Sequence, residues 1–381
     1  MIYLDNNAST QVAPEVFDAM RPFLTGEYGN PSSAHAAGRR TKLAIAEARA
    51  SVADLVGAAS PDEIIFTATG SESDNWAIRG SLGDDPDNVH VITTRIEHGA
   101  VSLVFDDLER RGCRVTRLNV DEDGAIDLDG LRAALTEQTR LVSVMYANNE
   151  TGIISPVGEI GAIVKERSNA LFHVDGVTAT GKIPIDLKST AIDLFSLAGH
   201  KFYAPKGVGA LYVREGVELT PWVVGGGQER GLRSGTEAVH QIVGLGAAAR
   251  LVRDMSSMER IRGLRDRLEY EILNKIPNSH LNGTADVSKR LPNTASISFA
   301  GVNGEMLMAR LDAAGICVST GSACHSQAGT ASGVLGVMNI PYERAMGAIR
   351  FSLGRYNTDA EIDFVMAELP DIVAGLRQIA A

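Results

Sequence analysis

Five short segments carry side chains that can do chemistry. The first is Thr67-Ala68-Thr69-Gly70-Ser71-Glu72-Ser73, between a strand-like and a helix-like stretch. Small residues there let the backbone approach an anion, and helix-start N–H groups with the Ser71 hydroxyl can hold a phosphate. The same residues also read as a plain helix cap, because Ser71 and Asp74 have capping spacing. Walker and Rossmann spacings are absent, which argues against a nucleotide triphosphate or dinucleotide site. The second is Asp175, closing LFHVD. It is either a turn former or an anion placed to pair with a protonated pyridine nitrogen. The third is Gly199-His200-Lys201, after LFSLA. A lysine there is either a solvated strand end or, when desolvated, an amine able to form a Schiff base. The fourth is Ser319 to Ser326, a run of small polar residues around Cys324 and His325. A free cysteine is usually a buried small hydrophobe. Cys324 lacks apolar neighbours and adjoins a potential cation, the setting of a reactive thiol, whereas Cys113 and Cys317 lie in strand-like segments and read as structural. The last is Arg350-Phe351-Ser352-Leu353-Gly354-Arg355. An arginine after a strand is a surface ion-pair partner or a bidentate clamp for a carboxylate.

These segments need elements to position them. From about residue 14 to residue 213, short apolar runs alternate with helical periodicity. Strands are expected at 63–68, 89–94, 141–147, 171–174, 194–197 and 209–213, and helices at 42–56, 71–81 and 101–111. That alternation predicts an α/β fold with a mostly parallel sheet covered on both faces. Ligands of such sheets bind beyond the carboxyl ends of the strands, which is where Asp175 and Lys201 fall. Residues 217–235 are Gly-rich and irregular. One long helical region is expected over 236–275, and then a smaller α+β unit with strands at 295–299 and 348–353 and helices at 305–314 and 359–379. The expected domains are 14–256 and, for the smaller one, 1–13 with 257–381. The chain has 381 residues, 44% apolar and 22% charged, with net charge −11. Such a charge gives no bulk attraction for nucleic acid or anionic lipid. No run is apolar enough to span a bilayer. The start carries no basic leader, and three cysteines suit a reducing compartment, so the expected location is the cytoplasm.

Laid out in order, the segments resemble the cysteine desulfurases of the NifS/IscS type, within the class V aminotransferase-like enzymes that use pyridoxal 5′-phosphate. The resemblance covers YLDNNAST (3–10), GNPSSAH (29–35), GSESDN (70–75), EH (97–98), ANNETG (147–152), HVDG (173–176), GHKFYAPKGVGALYV (199–213), GGGQERGLRSGTE (225–237), STGSAC (319–324) and RFSLGR (350–355). It implies the aspartate aminotransferase-like fold with a seven-stranded-type sheet. It also implies that Lys201 holds the cofactor, His98 stacks on its ring and shuttles protons, and Asp175 pairs with its nitrogen. Asn149 is similar to the asparagine near cofactor and substrate. Gly70, Ser71 and His200 match phosphate contacts. Thr236 matches one supplied by the other subunit, which implies a homodimer. Arg355 resembles the substrate-carboxylate clamp. Cys324 resembles the nucleophile that becomes a persulfide, passes sulfur to an acceptor protein (a cluster scaffold or thiolation enzyme), and can transiently ligate an iron–sulfur cluster with a partner. Two positions depart from the family pattern. Thr178 stands where the family has a glutamine, and Ala198 where it has a phosphate-binding serine. Ser196, two residues earlier on the same strand face, is expected to compensate in part. The Cys324-His325-Ser326 run also resembles selenocysteine lyases, and a non-catalytic sulfur-transfer scaffold is the third reading.

Overall fold

Short β-rich runs bounded by Gly, Pro and polar turns leave little choice but to pair, and in the computed structural model they do. It describes residues 1–83, 89–320 and 331–380. In chain order the first half runs β1 (Ile2–Tyr3), α1 (Pro14–Thr25), α2 (Ala36–Val56), β2 (Ile64–Thr67), α3 (Gly70–Gly80), β3 (His90–Thr94), α4 (Gly99–Arg110), β4 (Arg114–Leu118), α5 (Leu128–Ala134), β5 (Thr139–Met145), α6 (Val157–Arg167), β6 (Leu171–Asp175), β7 (Leu194–Ala198) and β8 (Gly209–Val213). The second half runs α7 (Val239–Arg253), α8 (Ser256–Lys275), β9 (Ser279–Leu281), β10 (Thr294–Phe299), α9 (Gly304–Ala313), β11 (Ile316–Cys317), α10 (Gly333–Val337), α11 (Tyr342–Ala345), β12 (Ala348–Ser352) and α12 (Asp359–Ala380).

Seven strands form one sheet in the order β2-β8-β7-β6-β5-β3-β4. Only β8 runs against its neighbours β2 and β7; the remaining pairs are parallel. The carboxyl ends of β2, β3, β5, β6 and β7 therefore lie along one edge. Apart from Arg140 and the half-buried Leu171, the strands are buried except β4, one of the two edges, because helices cover both faces. Apolar residues of α1, α2, α5, α6 and α7 pack on one face, and those of α3 and α4 on the other.

A second core joins Leu4 to residues of α8, β10, α9, β12 and α12. Its sheet is antiparallel, ordered β12-β10-β9. The N-terminal segment is stitched to it: β1 pairs with β11, and Ser352 N donates to Leu4 O at 2.7 Å. Residues of α10 and α11 pack instead on the first core, so the C-terminal part contributes to both. The region expected as one helix over 236–275 is two. Asp254 takes an extended conformation, and its carboxylate accepts from Ser256 N at 2.9 Å and Ser256 Oγ at 2.8 Å. A side chain that bonds its neighbours' backbone competes with the helical ladder, and the helix restarts at Ser256.

Candidate active site

At the shared strand edge, Asp175 ends β6 and is buried. Its Oδ1 accepts from Val177 N at 2.9 Å. Burial raises this carboxyl's pKa above its ordinary value, with the Val177 amide and the charges of His98 and Lys201 opposing the rise. His98 follows β3 and caps α4, with Nδ1 accepting from Ala100 N at 3.1 Å. That bond leaves Nε2 to carry the proton of the neutral ring. Lys201 follows β7 in a single turn of 3-10 helix. Its Nζ donates to Asn7 O at 2.5 Å and Ala8 O at 3.2 Å, so the N-terminal segment holds the amine in place. His200 places Nδ1 3.4 Å from Ser9 Oγ. Burial, then Lys201, lowers its pKa to about 4, so it is a neutral hydrogen-bonding group at pH 7.

The anion end lies at the start of α3. Thr69, not Ser71, is the cap: its Oγ1 accepts from Glu72 N at 3.0 Å. Ser71 is exposed. The capping reading of Ser71 is thus replaced, and its hydroxyl lies on the first turn among N–H groups that have no intrahelical acceptor. A Cβ at Gly70 would meet Val177 Cγ2 at 2.8 Å and Ala198 Cβ at 3.1 Å, so glycine is what lets helix and sheet approach here. Thr236 is exposed and lines a cavity of about 100 Å³ with Thr67, Ala68 and Gly235. Ser196 does not compensate for Ala198. Ala198 faces Gly70, whereas the Ser196 hydroxyl lies 3.0 Å from His173 Nε2 and beside Asp74, one helical turn deeper. Same-face neighbours on a strand are two residues of rise apart, too far to share one ligand oxygen. Thr178 is buried, and its carbonyl accepts from Lys182 Nζ at 2.6 Å. Burial, reinforced by Lys201 and Arg350, brings the Lys182 amine down to about 7.

The opposite rim comes from the second core. Arg350, on β12, is buried and donates from Nη1 to Asn149 O at 2.9 Å and from Nη2 to Asp5 Oδ1 at 2.6 Å. Arg355 lies elsewhere: its Nη1 donates to Leu251 O at 3.2 Å, and its amide to the Tyr203 hydroxyl at 2.6 Å. Arg355 is the arginine expected as the carboxylate clamp, but the structure brings Arg350 to Asn149 instead. Strand alternation carried this signal. Ile349 and Phe351 belong to the second core, so Arg350 between them faces away from it. Asn7 was also missed. It receives the Lys201 amine on its carbonyl, donates to Thr294 Oγ1 at 2.9 Å, and accepts from Asn293 Nδ2 at 3.0 Å. A cavity of about 310 Å³ opens beside His98, Asn149 and Glu150 and reaches Gly333 and Val337 on α10. Cys324, and with it the expected persulfide and cluster-ligand role, lies outside the described residues. Cys113 is buried, while Cys317 on β11 is partly exposed. Among the described residues, no group of three or more His, Cys, Asp or Glu could hold a metal.

The family model for aminotransferase class V matches residues 2–365. The chain belongs to that family. Within it, the chain is 51% identical over 382 residues to a cysteine desulfurase of Trichormus azollae, covering 100% of this chain and 94% of that relative. Among solved structures, a NifS-like protein matches with TM-score 0.91 and 38% identity, over 98% of this chain and 100% of the other. SspA, solved in complex with cysteine, matches with TM-score 0.83 and 34% identity, over 94% and 100%. Membership of the cysteine desulfurase group makes this a pyridoxal-phosphate enzyme. The residues fit that cofactor. The N–H groups at the start of α3 that lack intrahelical acceptors, beside the exposed Ser71, suit a phosphate, Asp175 suits a pyridine nitrogen, and Lys201 supplies an amine.

Proposed function

We propose that this enzyme takes sulfur from L-cysteine, releasing L-alanine and leaving a persulfide on Cys324 that passes to an acceptor protein. The observation that carries the reading is the convergence of His98, Asp175 and Lys201 at the carboxyl ends of β3, β6 and β7, since the parallel register sets these ends along one edge. Gly70, Ser71 and His200 would hold the phosphate, Asp175 the ring nitrogen and Lys201 the carbonyl carbon. Pyridoxal phosphate then supplies the electron sink for removal of the α-proton and for cleavage at the β-carbon. His98 Nε2 and the Lys201 amine move that proton. Arg350 binds the substrate carboxylate by charge-assisted hydrogen bonds. The Cys324 thiolate attacks the substrate sulfur; the S–S bond forms as the C–S bond breaks, and the C–S electron pair stays on carbon. Protonation there yields alanine. Cys324→Ser should bind the cofactor and cysteine yet release no sulfide and carry no persulfide by mass spectrometry. Near wild-type desulfuration by that variant would sink the mechanism, and retained turnover of selenocysteine alone would favour the selenocysteine lyase reading.

The same proposal includes two domains, 14–256 and 1–13 with 257–381, and a homodimer. Support for the dimer comes from the surface. Leu43 and Val224 are exposed, and α2 and the Gly-rich stretch that bear them line one cavity of about 380 Å³. Thr236 follows that stretch, so an apposed copy would meet it. No helix of the described residues is long and apolar enough to cross a membrane, and we place the enzyme in the cytoplasm, where free thiols persist.

A further inference from the structure

Three carboxyl groups are buried at the floor of the site, and only one has a stated role. Asp175 is joined by Asp74, on α3 and 1% exposed, and by Glu97, before α4 and 7% exposed. Both are tied to Asp175 by geometry. Asp74 Oδ1 lies 3.7 Å from Nε2 of His173, which shares a strand face with Asp175. Glu97 Oε1 accepts from Met145 N at 3.0 Å and from Thr94 Oγ1, and Met145 is the register partner of Asp175. Each has one oxygen, Asp74 Oδ1 and Glu97 Oε2, that is fully buried and meets no donor among the described residues.

We infer that Asp74 and Glu97 are positioning residues, held as neutral acids so that Asp175 is the single anion facing the ring nitrogen. The inference rests on the reading of Asp175 as the nitrogen's partner. A buried carboxylate oxygen without a donor is far costlier than a buried neutral acid, and like charges in one pocket cannot all persist. Asp175 has the best claim on the charge, because it alone has the Val177 amide together with His98 and Lys201. His173 offers the other two no counter-charge: burial takes it down to about 3, and its nitrogens are occupied by Ser143 Oγ at 2.8 Å and Ser196 Oγ at 3.0 Å. Burial first, with Asp175 adding to it, raises Asp74 well above the ordinary carboxyl range. The same two effects, against the Thr94 and Met145 bonds, bring Glu97 up to about 8. A second anion beside Asp175 would raise the Asp175 pKa and remove its charge from the ring nitrogen.

The test uses the full chain without cofactor and with it. Infrared spectra of apoprotein labelled with ¹³C at Asp and Glu carboxyls should show protonated-acid bands at pH 7, one lost in Asp74→Asn and another in Glu97→Gln. Those amides mimic the neutral acids, so pyridoxal phosphate affinity should stay within about threefold, half a pKa unit's worth of free energy. Asp74→Ala and Glu97→Ala, without the hydrogen-bonding carbonyl, should not rescue it. Cofactor absorbance of wild type should show an inflection near pH 8 that Glu97→Gln abolishes. Wild-type apoprotein without protonated-acid bands at pH 7 would overturn the inference, whether or not the variants fold. So would an amide variant that weakens the cofactor by about tenfold. Neither result depends on cysteine being the substrate.

Discussion

The floor and the rim of the site are built differently. Floor groups hang from strand ends of one sheet: Asp175 closes β6, Lys201 follows β7 and His98 follows β3. Each takes its place from the main chain, through the Val177 amide, the Asn7 and Ala8 carbonyls, and the Ala100 amide. Rim groups come from segments far apart in sequence. Arg350 reaches Asn149 and Asp5, and Asn7 ties Thr294, Asn293 and Ser352 to the lysine turn, the last through its own amide onto Ser352 Oγ at 2.9 Å. A floor fixed by sheet register is preorganised before substrate arrives, which is where electrostatic catalysis needs rigidity. A rim of side chains spanning two cores holds its geometry only while the cores stay docked.

That contrast can be broken by mutation. The largest effect is expected at the floor. Lys201→Ala should abolish turnover and the yellow colour of bound cofactor, and borohydride treatment of wild type should fix the cofactor on Lys201 by peptide mapping. Fixation on Lys182, the neighbouring buried amine, would break the floor assignment. At the rim, Arg350→Ala should raise the KM for cysteine, since losing a charged hydrogen-bond partner costs about 1.5–3 kcal/mol, roughly 10- to 150-fold. Cofactor occupancy should hold. Arg355→Ala, with its guanidinium on Leu251 O, should leave KM unchanged; the reverse pattern would return the clamp to Arg355. A smaller effect is expected at Gly70. Gly70→Ala forces its Cβ against Val177 and Ala198, an overpacking cost of about 1–2 kcal/mol, read as weaker cofactor binding and a lower Tm.

Much of the floor was legible because it is local. A buried strand that ends in Asp, or in Gly-His-Lys, places that residue beyond the sheet whatever the rest of the fold does, and the apolar runs at 209–213 and 171–174 announce their strands by apolar composition and length. The break at Asp254 was less visible, because one side chain's bonds to Ser256 outweighed a helical period that continued on both sides.

By itself the amino-acid sequence determined six of the seven strands of the large sheet but not its half-exposed edge β4, the order of the motifs along one edge and the family they belong to, since period, turn residues and motif order are properties of neighbours in the chain. Tertiary structure alone decided that the Arg355 guanidinium lies on Leu251 O, that Ser196 belongs to the His173 network, and that Asp74 and Glu97 share a dry floor with Asp175. Those outcomes depend on which faces meet across strands and cores, and on how much water is left between them. Burial sets the charge of a carboxyl, and burial is a property of the packed fold.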